Sequence, residues 1–172
     1  MNEVIKNILN RRSIRKYKNK DVEEYLIDEI LKAGTYAPTG RNSQSPIIIA
    51  ITNKDIKNKL AKINASVMNS NFDPFYGAPV VLVVLADKNI PTYLYDGCLV
   101  MENMMLAASS LGLGSCFIHR AKEEFETKEG KEILKELGIS DDYVGIANMI
   151  LGYPDEEKAP SPRKDNYIYK IK

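Results

Sequence analysis

The sequence predicts an α+β fold: one sheet of four or five strands with helices packed on it, formed by a single domain spanning residues 1–172. Three observations carry that prediction. The length of 172 residues suits one domain of ordinary size. Helical and strand periodicities interleave without the regular spacing of βαβ units, and no internal repeat is present. Two short runs, "IIIAI" at 47–51 and "VVLVVL" at 80–85, are long enough only for strands, and the second is apolar at every position, as a strand covered on both faces must be.

The elements come in the following order. Val4, Ile5, Ile8 and Leu9 recur at helical spacing, so the chain opens on a short amphipathic helix. Asp21 and Glu24 form a capping-box pattern for a second helix, with Leu26, Ile27, Ile30 and Leu31 on its buried face and Gly34 near its end. "TYAPTGRNSQSP" at 35–46 is a loop, because prolines, a glycine and small polar residues crowd it. After the strand at 47–51, Asn53 starts a helix that turns Ile56, Leu60 and Ile63 inward. A second loop at 69–79 delivers the chain to the strand at 80–85. The helix from Thr92 to Leu111 has almost no polar face, so it is expected to be buried all round, with a subunit interface as the place to bury it. A strand at 112–119, a charged helix at 128–137 and a strand at 144–154 complete the order. The tail "NYIYKIK" alternates as an edge strand does, free to pair with its own sheet or a partner's.

Composition narrows the function. Apolar residues make up 44% and charged residues 27%, an ordinary globular balance. No apolar run approaches the roughly 20 residues that cross a bilayer, and "MNEVIKNIL" lacks a signal pattern. No membrane partner is therefore expected. Cys98 and Cys116 are too few for a disulfide framework and lack metal-ligand spacing; two free thiols in a reducing cytoplasm and no metal is the expectation. The formal net charge is only +1, yet six of the ten residues from Arg11 to Lys20 are Arg or Lys. A nucleic acid needs a broad basic face, whereas this concentration suits one small anion.

If residues 10–18 are extended, Arg11, Ser13 and Arg15 share one face while Ile14 points the other way and anchors the segment. Two guanidinium forks flanking a hydroxyl make a cradle for one phosphate group. A solvated basic loop is the plain alternative. His119, the single histidine, reads as structural, and Cys116 and His119 fall on opposite faces of a strand, so they form no nucleophilic pair. Gly112 and Gly114 do not make a dinucleotide fingerprint.

Four motifs in order, "RRSIRKY", "APTGRNSQ", "GLGSCFI" and "LGYP…PRK", resemble the FMN-dependent nitroreductase family in its short single-domain form, over essentially the whole chain. The resemblance implies a central, mainly antiparallel sheet flanked by helices, in an intertwined homodimer whose C-terminal strand adds to the partner's sheet. It implies that Arg11, Arg12, Ser13 and Arg15 hold the FMN phosphate and ribityl chain, joined near the C-terminus by Arg163 and Lys164. Pro38, Thr39, Gly40, Asn42 and Gln44 would reach the flavin of the other subunit, and backbone N–H groups of Gly114, Ser115, Cys116 and Phe117 would approach its N5. For the flavin pyrimidine edge Lys62, Asn64, Asn69 and Asn71 stay open, with Arg12 as another source of charge. The family often has Gln-Pro-Trp where this chain has Gln44-Ser45-Pro46 and no tryptophan.

The implied activity is electron transfer from NADH or NADPH through flavin N5 to a small-molecule acceptor, a nitroaromatic or quinone, by a ping-pong route. No catalytic side chain is needed, because the flavin carries the chemistry. A specialised flavoenzyme on the same scaffold, such as a reductive dehalogenase, and an anion- or nucleic-acid-binding module without turnover are the competing readings.

Overall fold

A computed structural model describes residues 1–172. In chain order the elements are α1 (Glu3–Asn10), α2 (Glu24–Thr35), β1 (Ile47–Ile51), α3 (Lys54–Val67), β2 (Val80–Asp87), α4 (Tyr93–Ser110), β3 (Gly114–Ile118), α5 (Ala121–Glu126), α6 (Lys128–Glu136) and β4 (Tyr143–Gly152). The four strands form one sheet in the order β1-β2-β4-β3, and every pairing is antiparallel.

The unbroken apolar run of β2 has the meaning expected of it. Val80, Leu82, Val84 and Ala86 face one layer, where they meet Ile27 and Ile30 of α2 and Met101 and Met104 of α4. Val81, Val83 and Leu85 face the other, against Leu60 of α3, Phe125 of α5 and Leu134 of α6. Alternate side chains of one strand thus nucleate two cores.

One expectation is corrected, and two are left to a second copy of the chain. The second helix starts at Glu24 with Glu23 at the N-cap, and Asp21 does not cap it. Val22 is buried in the core, and keeping residues 21–23 extended is what lets it reach there. Glu23 instead accepts the Tyr153 hydroxyl (2.5 Å) and pairs with Lys20 (3.2 Å). One chain alone does not cover α4 all round, which leaves the rest of its expected burial to a subunit interface. Val100, Met101, Met104 and Met105 are buried, while Leu94, Tyr95 and Leu99 face outward. Val4, Ile5, Ile8 and Leu9, the whole apolar face of α1, are likewise exposed. "NYIYKIK" forms no strand on this chain's own sheet, which leaves the partner's sheet as its expected place; residues 159–172 are exposed throughout, Ile168 and Ile171 among them. α5 is an element without a sequence expectation, short and following Arg120, whose φ of 79° breaks the strand direction.

A carboxylate is sealed in the second core. Glu124 of α5 is fully buried and accepts hydrogen bonds from Asn64 of α3 and from Asn148 of β4 (2.8 and 2.9 Å). Arg120 Nε donates to Asn64 Oδ1 at 3.0 Å. Burial outweighs these donors and raises the carboxyl to about 7.

The folded state therefore holds a proton that the unfolded chain releases near 4.5, so Glu124 favours folding below that pH and its contribution is lost as pH rises to about 7. Thermal melts from pH 4.5 to 8 should show this as a stability difference between the wild type and Glu124→Gln that shifts by about 2–3 kcal/mol in favour of the variant, then levels off. A pH-independent difference would refute a neutral Glu124.

Candidate functional site

The basic segment is built onto the sheet's edge. β3 is an outer strand, and the basic segment meets its free side at Ser13 and Ile14: Ser13 bridges Ser115 in parallel, and the Ile14 N–H donates to the Ser115 carbonyl (2.9 Å). Ile14 is buried, as its place inside the basic cluster implied. It sits against Gly114, where an added Cβ would lie 2.9 Å from Ile14 Cβ and Cγ2. Tyr17 donates its hydroxyl to the Ile14 carbonyl (2.6 Å), and burial keeps this phenol neutral far above its usual range.

The arginines are then held in distinct ways. Arg12 Nη1 donates to the carbonyls of Leu9 (2.7 Å) and Arg11 (2.5 Å), closing the last turn of α1. Arg11 Nε lies 3.9 Å from Glu102 of α4. Arg15 is exposed, with its guanidinium 6.0 Å from the Tyr76 ring centroid. Two nitrogens in this group, Arg11 Nη1 and Arg12 Nε, are buried without any partner. A buried charged N–H with no acceptor costs free energy, so the segment is arranged for an anion to complete it. A flavin monophosphate satisfies that requirement.

The β3 edge is met by the backbone of the basic segment. Ser115 turns its carbonyl outward to Ile14, and in a strand its own N–H points to the same side. Cys116, one residue on, directs its backbone toward β4, and its side chain is buried in the second core. His119 is exposed at the end of β3, apart from the buried Cys116, and its carbonyl accepts from Asn64. Asn64 is thus withdrawn from the pyrimidine-edge candidates, since both of its amide atoms serve the Glu124 network. Lys62, Asn69 and Asn71 remain exposed.

The loop after α2 is tightly made but distant. Gly40–Asn42 form a 3-10 turn in which Arg41 and Asn42 have φ of 54°. The Gly40 N–H donates to buried Asp96 (2.9 Å), which also accepts from Thr92 Oγ1 (2.8 Å); a Cβ on Gly40 would collide with Thr92. The Thr39 hydroxyl accepts the Gln44 N–H, and Gln44 donates to Asn42. Pro38, Asn42 and Gln44 are exposed. This loop enters β1, at the opposite edge of the sheet from β3, three strand spacings or about 14 Å away.

Arg163 and Lys164 make no hydrogen bond or ion pair to the cradle residues. They lie on the exposed tail, and the Lys164 ammonium sits 5.2 Å from the Tyr167 ring. Sequence reasoning missed Asp96, which holds the loop, and the acidic pair Asp155 and Glu156 just beyond β4. Asp155 pairs with Lys16 (3.2 Å). Glu156 accepts the Arg15 N–H (2.6 Å), which with Lys158 keeps its carboxyl below the usual range. The acidic character of "PDEEK" beside a basic cluster was the only available signal.

Comparison with known proteins is consistent across sequence and structure. The model of the nitroreductase family matches residues 8–153. A relative from Archaeoglobus fulgidus, whose name pairs NADH dehydrogenase with NAD(P)H nitroreductase, is 32% identical over 92% of this chain and 89% of its own length. The FMN reductase [NAD(P)H] of Bacillus subtilis is 25% identical over 95% of this chain and 70% of its own. Among solved structures, an FMN-bound nitroreductase from Bacteroides fragilis superposes with a TM-score of 0.91 at 26% identity, covering all of both chains. One from Desulfitobacterium hafniense, also with bound FMN, gives 0.90 at 26% identity over all of both chains.

The seat of the basic segment is open to a direct test. Gly114→Ala should destabilise the chain by about 1–3 kcal/mol through overpacking against Ile14. Combined with Ile14→Ala it should cost less than the sum of the two single changes, measured as a double-mutant cycle in denaturant. Simple additivity would show that the two residues do not meet.

Proposed function

The chain belongs to the nitroreductase family, and from that premise and the site's geometry we propose that it is an FMN-dependent oxidoreductase drawing electrons from NADH or NADPH. The observation that carries this reading is the pair of buried, unpartnered guanidinium nitrogens on Arg11 and Arg12 at the open edge of β3. Ser13 and Arg15 complete the phosphate cradle between them. Bound FMN supplies the hydride-accepting and electron-donating chemistry; the chain binds it, orients it and shields it. The backbone of Gly114, Ser115, Cys116 and Phe117 is taken to approach the flavin ring, as the family resemblance implies.

The acceptors are nitroaromatics, quinones or similar small molecules, and donor and acceptor take turns in one pocket by a ping-pong route. That economy explains why the chain needs neither a dinucleotide fingerprint nor an acid–base constellation. The pocket is completed by a second copy. Pro38, Thr39, Gly40, Asn42 and Gln44 lie a sheet's width from their own cradle, so they serve the partner's. The outward faces of α1 and α4, with Val4, Ile8, Leu94 and Leu99, supply the apolar surface that such a homodimer buries. Arg163 and Lys164, on the exposed tail, reach a flavin only if that tail folds back or crosses over. No helix is long and apolar enough to cross a membrane, and free Cys98 and Cys116 fit a reducing cytoplasm.

The purified protein is expected to be yellow, and anaerobic NADH or NADPH should bleach its flavin absorbance. A colourless preparation that takes up no FMN would overturn the reading. Arg11→Ala should weaken FMN binding by about 1.5–3 kcal/mol, the worth of a charge-assisted hydrogen bond, measured by equilibrium dialysis. For the assembly, Leu99→Glu should shift the particle from dimer to monomer in sedimentation and lower FMN retention in parallel. A monomer that keeps its flavin would show the second copy to be dispensable.

A further inference from the structure

A cleft of about 510 Å³ opens where the end of the basic segment, the first turns of α3 and the loop before β2 meet. Lys18, Lys54 and Lys57 line it, and none of the three forms an ion pair. Lys57 is half-buried, and its Nζ donates to the carbonyls of Ala78 (2.9 Å) and Pro79 (2.5 Å). Burial lowers this ammonium from the usual lysine range, although Asp21 and Asp73 both act to raise it. The two acids are differently engaged. Asp73 accepts the N–H groups of Phe75 and Gly77, each at 2.8 Å, so both of its oxygens serve their own loop. Asp21 is exposed and pairs with no lysine. Lys20, also on the lining, is already paired with Glu23 (3.2 Å) and lies over the Tyr153 ring.

We propose that this cleft is a second anion site, separate from the flavin cradle, for a small molecule that carries a di- or triphosphate. Three ammoniums without an ion pair, on Lys18, Lys54 and Lys57, face one free carboxylate, on Asp21, so a ligand balances the cleft only by bringing two negative charges or more. The volume is that of a small-molecule pocket, more than one inorganic phosphate fills. An ammonium has three donors, and Lys57 spends two on backbone carbonyls, so one remains for a ligand oxygen. Those carbonyls fix the head group without neutralising it, and little rotamer freedom is left to lose on binding. Lysine binds phosphate as a point charge, which lets Lys18 and Lys54 add to the attraction from exposed positions. Arg11, Arg12, Ser13 and Arg15 are absent from the lining. Cleft and cradle are nevertheless neighbours: Tyr76 lines the cleft, and the Arg15 guanidinium lies 6.0 Å from the centroid of its ring. The site stands whether or not the cradle holds a flavin.

The probe is pyrophosphate, titrated by calorimetry into the full-length protein saturated with FMN, so that the cradle is filled. One pyrophosphate should bind per chain, and inorganic phosphate and citrate should bind more weakly. Lys57→Gln should weaken pyrophosphate by about tenfold or more. The double change Lys18→Gln with Lys54→Gln should also weaken it, and since both side chains are exposed and hold no other residue the fold is left intact. Lys59→Gln makes the same change of charge on α3 but off the cleft, and at physiological ionic strength it should stay within about twofold. A loss as large for Lys59→Gln would overturn the proposal, because net charge alone would then be at work. Affinity retained in the double variant would overturn it too, whatever Lys57→Gln does to the fold. So would the absence of binding, or citrate bound as tightly as pyrophosphate. Binding that disappears when FMN is present would place the pyrophosphate in the cradle instead. A chain that takes up no FMN would sink the flavin reading alone, and the same titration in Arg11→Ala would then decide for the cleft by keeping full affinity or against it by losing affinity.

Discussion

The seating of Ile14 against Gly114 is the contact on which the rest of the site depends. It converts a run of like charges, which by itself would stay extended and solvated, into an added strand on the edge of β3. The Ile14 N–H to Ser115 carbonyl bond sets its register, and burial of one apolar side chain offsets the cost of ordering its charged neighbours. Because Ile14 points inward its neighbours Arg11, Arg12 and Ser13 are tied to the sheet, and because position 114 has no Cβ the Ile14 side chain can seat directly on its backbone.

That one seat also organises the segment beyond β4. The Tyr17–Pro154 bridge and the Lys16–Asp155 pair exist because residues 13–18 are already in place along the sheet. Acidic residues then reach a cluster that would otherwise repel itself. The balance is incomplete, however: Arg11 Nη1 and Arg12 Nε stay unpaired although they are buried. The protein thus carries a local deficit of negative charge at the edge of an otherwise neutral molecule, which is the electrostatic description of an anion site.

The elements that frame the site are stable for ordinary reasons. β2 feeds two cores at once, and α2 and α4 cover one of them. The buried Glu124 network joins α3, α5 and β4 behind the site without lending it a side chain, which is why Asn64 is not free to meet a ligand. The outward apolar stripes on α1 and α4 are the complement of this order, surface that a single chain leaves uncovered.

Much of this was legible in the amino-acid sequence. Periodicity placed the four strands and the main helices, since a period of 2 or 3.6 is a local property. The set of Ile14 inside "RRSIRKY" marked an anchored cradle, and four ordered motifs marked the family. What the sequence could not decide was which distant segments meet. Asp21 has the pattern of a cap, but burial of Val22 moved the helix start past it. The alternating tail has the pattern of a strand, but pattern does not choose a partner: the sheet ends on β1 and β3, and the tail joins neither. Arg163 and Lys164 carry the charge that the resemblance assigns to the phosphate, while it is Lys158, past the crossing of Tyr17 and Pro154, that meets the Ser13 carbonyl. Local pattern determined the elements and the chemistry they carry. Partners were decided by tertiary register, because hydrogen-bond pairing between segments as far apart in the chain as Arg15 and Glu156 leaves no trace in the spacing of either one.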